Sequence, residues 1–88
     1  MLGELHIASL VVRCHPERMA LLRRAIAALP GAEIPAEDAA GKFVVTLEAA
    51  SEHTIRRQLD TIGALPDVLS ATLVAHHAEP LAPDEESP

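Results

Sequence analysis

The sequence predicts an α+β fold in which a four-stranded antiparallel sheet carries two helices on one face. Two observations lead there. Short apolar, β-branched runs alternate with two stripes of helical spacing in the order βαββαβ. The two helices end on related segments, Ala28-Leu29-Pro30-Gly31-Ala32 and Ala64-Leu65-Pro66-Asp67-Val68, each setting a helix-terminating proline just ahead of a new strand. Two right-handed βαβ crossovers folded together then give the ferredoxin-like sandwich.

Each element has its own local signature. Ile7-Ala8-Ser9-Leu10-Val11-Val12 is a short apolar run suited to a buried central strand. His15-Pro16-Glu17 reads as a helix start, with proline near the first helical position and acid in the first turn. Met19, Leu22, Ile26 and Leu29 form the first apolar stripe, with Arg18, Arg23 and Arg24 mostly off it, and Pro30-Gly31 stops the helix. In Ala32-Glu33-Ile34-Pro35-Ala36-Glu37 the proline cannot donate to a ladder, so this strand belongs at a sheet edge. Ala39-Ala40-Gly41-Lys42 is a hairpin turn, and Phe43-Val44-Val45-Thr46-Leu47-Glu48 is the clearest strand of the chain. Ser51 offers an N-cap oxygen, with Glu52 behind it, to a second helix striped by Ile55, Leu59, Ile62 and Leu65. A fourth strand is expected from Val68 to His76. The folded domain is thus expected over residues 1–77, and residues 78–88, acidic and proline-rich, as a disordered tail.

Composition narrows the function classes. With 88 residues, 49% of them hydrophobic and Phe43 the one aromatic, the core must be built of Ala, Val, Ile and Leu. The net charge of −6 argues against a nucleic-acid partner, which favours clustered Lys and Arg. A single cysteine, Cys14, allows no internal disulfide. The N-terminus lacks the basic and apolar regions of a signal peptide, and no run is long enough to span a bilayer. A cytoplasmic protein without membrane insertion is expected.

Two helices cover one side of a sheet and leave the other open. Phe43, Val45 and Leu47 are expected in the core, as are Leu69, Ala71 and Leu73. Ala8, Leu10 and Val12 are placed there too, although both parities of the first strand are mostly apolar and a one-residue slip exchanges them. The open face then carries Ile7, Ser9, Val11, Val44, Thr46, Ser70, Thr72, Val74 and His76, with Glu33, Glu37 and Glu48 as an acidic margin. Such a surface suits an apolar peptide with basic residues at its rim. Small apolar sheet residues also occur on faces that are merely solvated or that dimerise.

The catalytic and cofactor chemistries known on this fold need residues that the chain lacks. A metallochaperone loop requires Cys-x-x-Cys, and here the loop after the first strand holds only Cys14. Acylphosphatase chemistry needs an Asn amide, and the chain contains no Asn. Base-stacking sheet aromatics and a Gly-rich phosphate loop are absent as well. His76 and His77 are neighbours on a strand and point to opposite faces, so they cannot chelate one ion together; His6 approaches one of them if the first and fourth strands pair. No enzyme, cofactor or metal is expected.

The chain resembles the NapD family of chaperones. The matching pieces are Ile7-Ala8-Ser9-Leu10-Val11-Val12-Arg13, Pro16-Glu17-Arg18, Leu29-Pro30-Gly31-Ala32-Glu33-Ile34, Gly41-Lys42-Phe43-Val44-Val45-Thr46-Leu47-Glu48 and Val68-Leu69-Ser70-Ala71-Thr72-Leu73-Val74-Ala75-His76-His77. Ala75 departs from the pattern, since the family often carries an aromatic there. The resemblance implies a cytoplasmic monomer or weak homodimer that binds the twin-arginine signal peptide of the periplasmic nitrate reductase catalytic subunit, delaying export until its cofactors are loaded. It also implies a peptide site on the sheet. The competing class is a small-molecule regulatory module of the ACT type, which shares the βαββαβ order and uses a Gly-containing loop where this chain has Arg13-Cys14-His15-Pro16.

Overall fold

The computed structural model describes residues 3–81. Its elements run in the expected order: β1 (Glu4–Cys14), a 3-10 turn (Pro16–Arg18) leading into α1 (Met19–Ala27), β2 (Ala32–Asp38), β3 (Lys42–Ala49), α2 (Glu52–Gly63) and β4 (Val68–Pro80). All strand pairs are antiparallel and the sheet order is β2-β3-β1-β4. The most apolar run is therefore central, and the strand bearing Pro35 lies at an edge.

One face of the sheet meets the helices. Ala8, Leu10, Val12 and Cys14 of β1 and Phe43, Val45 and Leu47 of β3 are buried against Met19, Leu22 and Ile26 of α1 and Ile55 and Ile62 of α2. This settles the parity of β1 in favour of Ala8, Leu10 and Val12 as core. The α2 N-terminus is fixed as its sequence foretold, with Ser51 Oγ accepting from the Thr54 N–H at 3.1 Å. Burial raises the Cys14 thiol above its ordinary value, and the charges of Asp67 and Glu17 push it the same way.

The repeated helix ends share a backbone solution. Gly31 has φ 77° and Asp67 has φ 74°. Around them Leu29 and Leu65 donate to Ile26 and Ile62, and Ala32 and Val68 donate back to Leu29 and Leu65. The left-handed residue turns the chain from helix into strand. At Gly31 a side chain is also barred by space, because a Cβ would overlap the Glu48 carbonyl oxygen.

Three irregularities depart from simple alternation. In β2, Glu33 pairs with Thr46 and Ala36 with Val44, so Ile34 and Pro35 together face the single residue Val45. In β4, the pairing skips Leu69 between Val68 and Ser70, and Val74 between Leu73 and Ala75. Leu69, expected in the core, is 62% exposed at its bulge. Leu73 does face the helix side, but it lies at the uncovered outer strand and is 42% exposed. Beyond Val74 the extra residue exchanges the two faces of the strand.

The fourth strand also runs past its expected end. Ala78, Glu79 and Pro80, assigned to the tail from the sequence, pair with His6, Leu5 and Glu4. The ladder supplied by β1 satisfies backbone groups that composition alone left to solvent. Residues 82–88 of the expected tail lie outside the described residues.

Candidate functional site

The side of the sheet away from the helices is built in rows that the strand register defines. Asp38, Lys42, Arg13 and Ser70 lie across one end. Ala36, Val44, Val11 and Thr72 form the next row, followed by Glu33, Thr46, Ser9 and Ala75. Glu48, Ile7 and His77 come next, and Leu5 beside Glu79 closes the far end. Alternation in β1 and β3 creates this surface, since each buried residue of those strands is flanked by residues that point to the open side.

Nine of the expected site residues occupy it: Ile7, Ser9, Val11, Val44, Thr46, Ser70, Thr72, Glu33 and Glu48. The middle rows present methyl groups and hydroxyls. Ile7, Ser9, Val11, Val44 and Thr46 are half-buried by their neighbours alone, and Ser70 and Thr72 are exposed. Among the described residues, neither Glu33 nor Glu48 is engaged in an ion pair.

Three expected site residues stand elsewhere. Val74 is the extra residue of a bulge, 58% exposed at the free edge of β4 and outside the rows. His76 is carried by that bulge to the helix side, opposite Ala8. There its Nε2 lies 3.0 Å from Nδ1 of His6, whose Nε2 lies 3.1 Å from Glu4 Oε1. Both contacts are satisfied when His6 Nε2–H donates to Glu4 and His76 Nε2–H donates to His6 Nδ1. These groups order the β1–β4 ribbon and are turned away from the open face.

Glu37 is the third. Past the β2 bulge it pairs with Phe43, a core residue, and so points to the helix side. Arg23 of α1 grips it with two donors, Nε to Oε2 at 3.0 Å and Nη2 to Oε1. Hydrogen bonding from Arg23 holds the Glu37 carboxyl below the ordinary glutamate range, and the guanidinium charge adds to that effect against some desolvation. The same guanidinium sits 5.9 Å from the centroid of the Phe43 ring, closing the core at that corner.

The sequence reading missed eight residues of the face: Leu5, Arg13, Ala36, Asp38, Lys42, Ala75, His77 and Glu79. Arg13 and Lys42 follow from extending the alternation of β1 and β3 by one step. Ala36, Ala75 and His77 reach it only through the bulges. Among the described residues no group of three or more His, Cys, Asp or Glu side chains is placed to hold a metal ion. No helix there is long and apolar enough to cross a membrane.

Comparison with known proteins agrees with this architecture. The family model for NapD protein matches residues 5–80. Chaperone NapD of Paracoccus pantotrophus is 44% identical over 70 residues, covering 80% of this chain and 62% of the relative, so the chain spans less than two thirds of that protein's length. Chaperone NapD of Escherichia coli K12 is 31% identical over 74 residues, covering 83% of this chain and 85% of the relative. The solution structure of the E. coli Tat proofreading chaperone protein NapD superposes with a TM-score of 0.80 at 30% identity, over 100% of this chain and 92% of that one. The relatives are named for a chaperone role, which is not an enzymatic one.

Proposed function

The chain belongs to the NapD family, and on that footing we propose that its open sheet face binds the twin-arginine signal peptide of the periplasmic nitrate reductase catalytic subunit. Binding takes place in the cytoplasm and withholds the precursor from export until its cofactors are in place. The observation that carries this reading is the face itself: four strands of one sheet with no second layer over them among the described residues, apolar and hydroxyl-bearing in the middle rows. A greasy peptide segment loses water against Val11, Val44 and Ile7. Its arginines meet the free carboxylates of Glu33 and Glu48, and the net charge of −6 draws a cationic segment in.

The affinity rests mainly on the apolar rows, because exposed ion pairs contribute little each. Calorimetric titration with a synthetic twin-arginine peptide, with free amino acids as the control panel, tests the proposal. Val44→Lys combined with Thr46→Lys is expected to weaken peptide binding at least about tenfold, about 1.4 kcal/mol, while far-UV circular dichroism and melting stay close to those of the parent. Undiminished binding by that variant would move the site off the open face. Binding of an amino acid in place of the peptide would favour the regulatory-module reading.

A further inference from the structure

The open face is electrically graded along its strands. At the end near the β2–β3 turn, Arg13 and Lys42 are paired neighbours, and neither is engaged in an ion pair among the described residues. Asp38, the third charge of that row, accepts the Ala40 N–H at 2.8 Å within the turn. The two middle rows carry one charge, Glu33 at the β2 edge. The opposite end holds Glu48 beside Ile7 and Glu79 beside Leu5, with Glu79 3.1 Å from His77 Nε2. From one end to the other the surface passes from cationic through apolar to anionic.

We propose that this gradient fixes the direction of the bound peptide. Its arginine pair lies over Glu48, Glu79 and Glu33, and its apolar segment runs across Ile7, Val11 and Val44 toward Arg13 and Lys42. The inference rests on the peptide-binding reading above and adds a polarity to it. From Ile7 to Arg13 the strand covers about 20 Å. That distance matches about 13 residues of an apolar helix or about 6 of an extended strand. The reversed alignment sets two arginines against Arg13 and Lys42 and leaves no cation over Glu48 at the far end, so like-charge repulsion disfavours it.

The test uses the full chain and a synthetic peptide of two consecutive arginines followed by about a dozen apolar residues, a length set by the same helical span. A nitroxide is attached at its N-terminal end in one sample and at its C-terminal end in another. The N-terminal label is expected to broaden the amide resonances of Ile7, Glu48 and His77, and the C-terminal label those of Arg13, Lys42 and Ser70. The opposite pattern, or both ends broadened equally by each label, overturns the direction while leaving face binding intact. Failure of saturable binding overturns the direction and the peptide reading together. In Glu48→Lys combined with Glu79→Lys, with melting unchanged, the peptide affinity is expected to fall at least about tenfold. Undiminished affinity would show that the anionic end does not receive the arginines.

Discussion

Glu37 shows how one residue's apparent role depends on its partner. It sits on an edge strand among other acids, yet the β2 bulge turns it to the helix side, where Arg23 holds its carboxyl below the ordinary range. A carboxyl whose folded value is depressed stabilises the fold above its unfolded value, and that contribution is lost as pH falls through the folded value. Glu37→Gln is therefore expected to melt lower than the parent at neutral pH. The gap should shrink as pH falls below the ordinary glutamate value and through the lower folded one, where the parent's own carboxyl becomes protonated. Melting curves across that range check it; a gap independent of pH would mean that the pair contributes through shape and not through charge. Since Glu37 faces α1, peptide affinity should be unaffected by its replacement.

At the scale of elements, the two helix-to-strand turns offer a paired comparison. Both require a left-handed residue, and the first supplies glycine while the second supplies Asp67. Gly31→Ala is expected to cost at least about 2 kcal/mol, because it adds the left-handed penalty to a clash with the Glu48 carbonyl oxygen. Asp67→Gly relieves the same penalty and surrenders only an exposed contact of 3.7 Å with Arg18. It is expected to raise Tm by up to about 5 °C. Thermal or urea denaturation of both variants decides the matter, and opposite signs for the two substitutions are the outcome expected. The strand bulges are the other events at this scale. They interrupt the pairing of two edge strands, and by shifting parity they decide which histidine turns to the helix side and which to the open face.

For the whole molecule, the layered arrangement sets the core on one side of the sheet and the proposed binding face on the other. The helices bury one side of the sheet, and the β1–β4 ribbon extends the molecule to 50 Å in its longest dimension, with transverse extents of 22 and 21 Å. Replacements confined to the open face should therefore alter binding more than folding. Peptide affinity measured between about 0.05 and 0.5 M salt is expected to fall by less than about tenfold, because screening removes long-range attraction but spares apolar burial. A loss of several hundredfold would instead make the carboxylates the principal source of affinity.

The order of elements, the central place of β1, the edge position of the Pro35 strand and the serine cap of α2 were all legible in the sequence. So was most of the open face, since β1 and β3 alternate cleanly and Phe43 marks the buried parity. These features depend on local preference and on hydrophobic period, which a linear pattern records directly. Tertiary pairing decided the rest. Nothing in Leu73-Val74-Ala75-His76 marks which residue will be left out of the ladder, because an extra residue is accommodated only against the register of a neighbouring strand. Arg23 and Glu37 are 14 positions apart, and only the packing of α1 over the edge of the sheet brings guanidinium and carboxylate together.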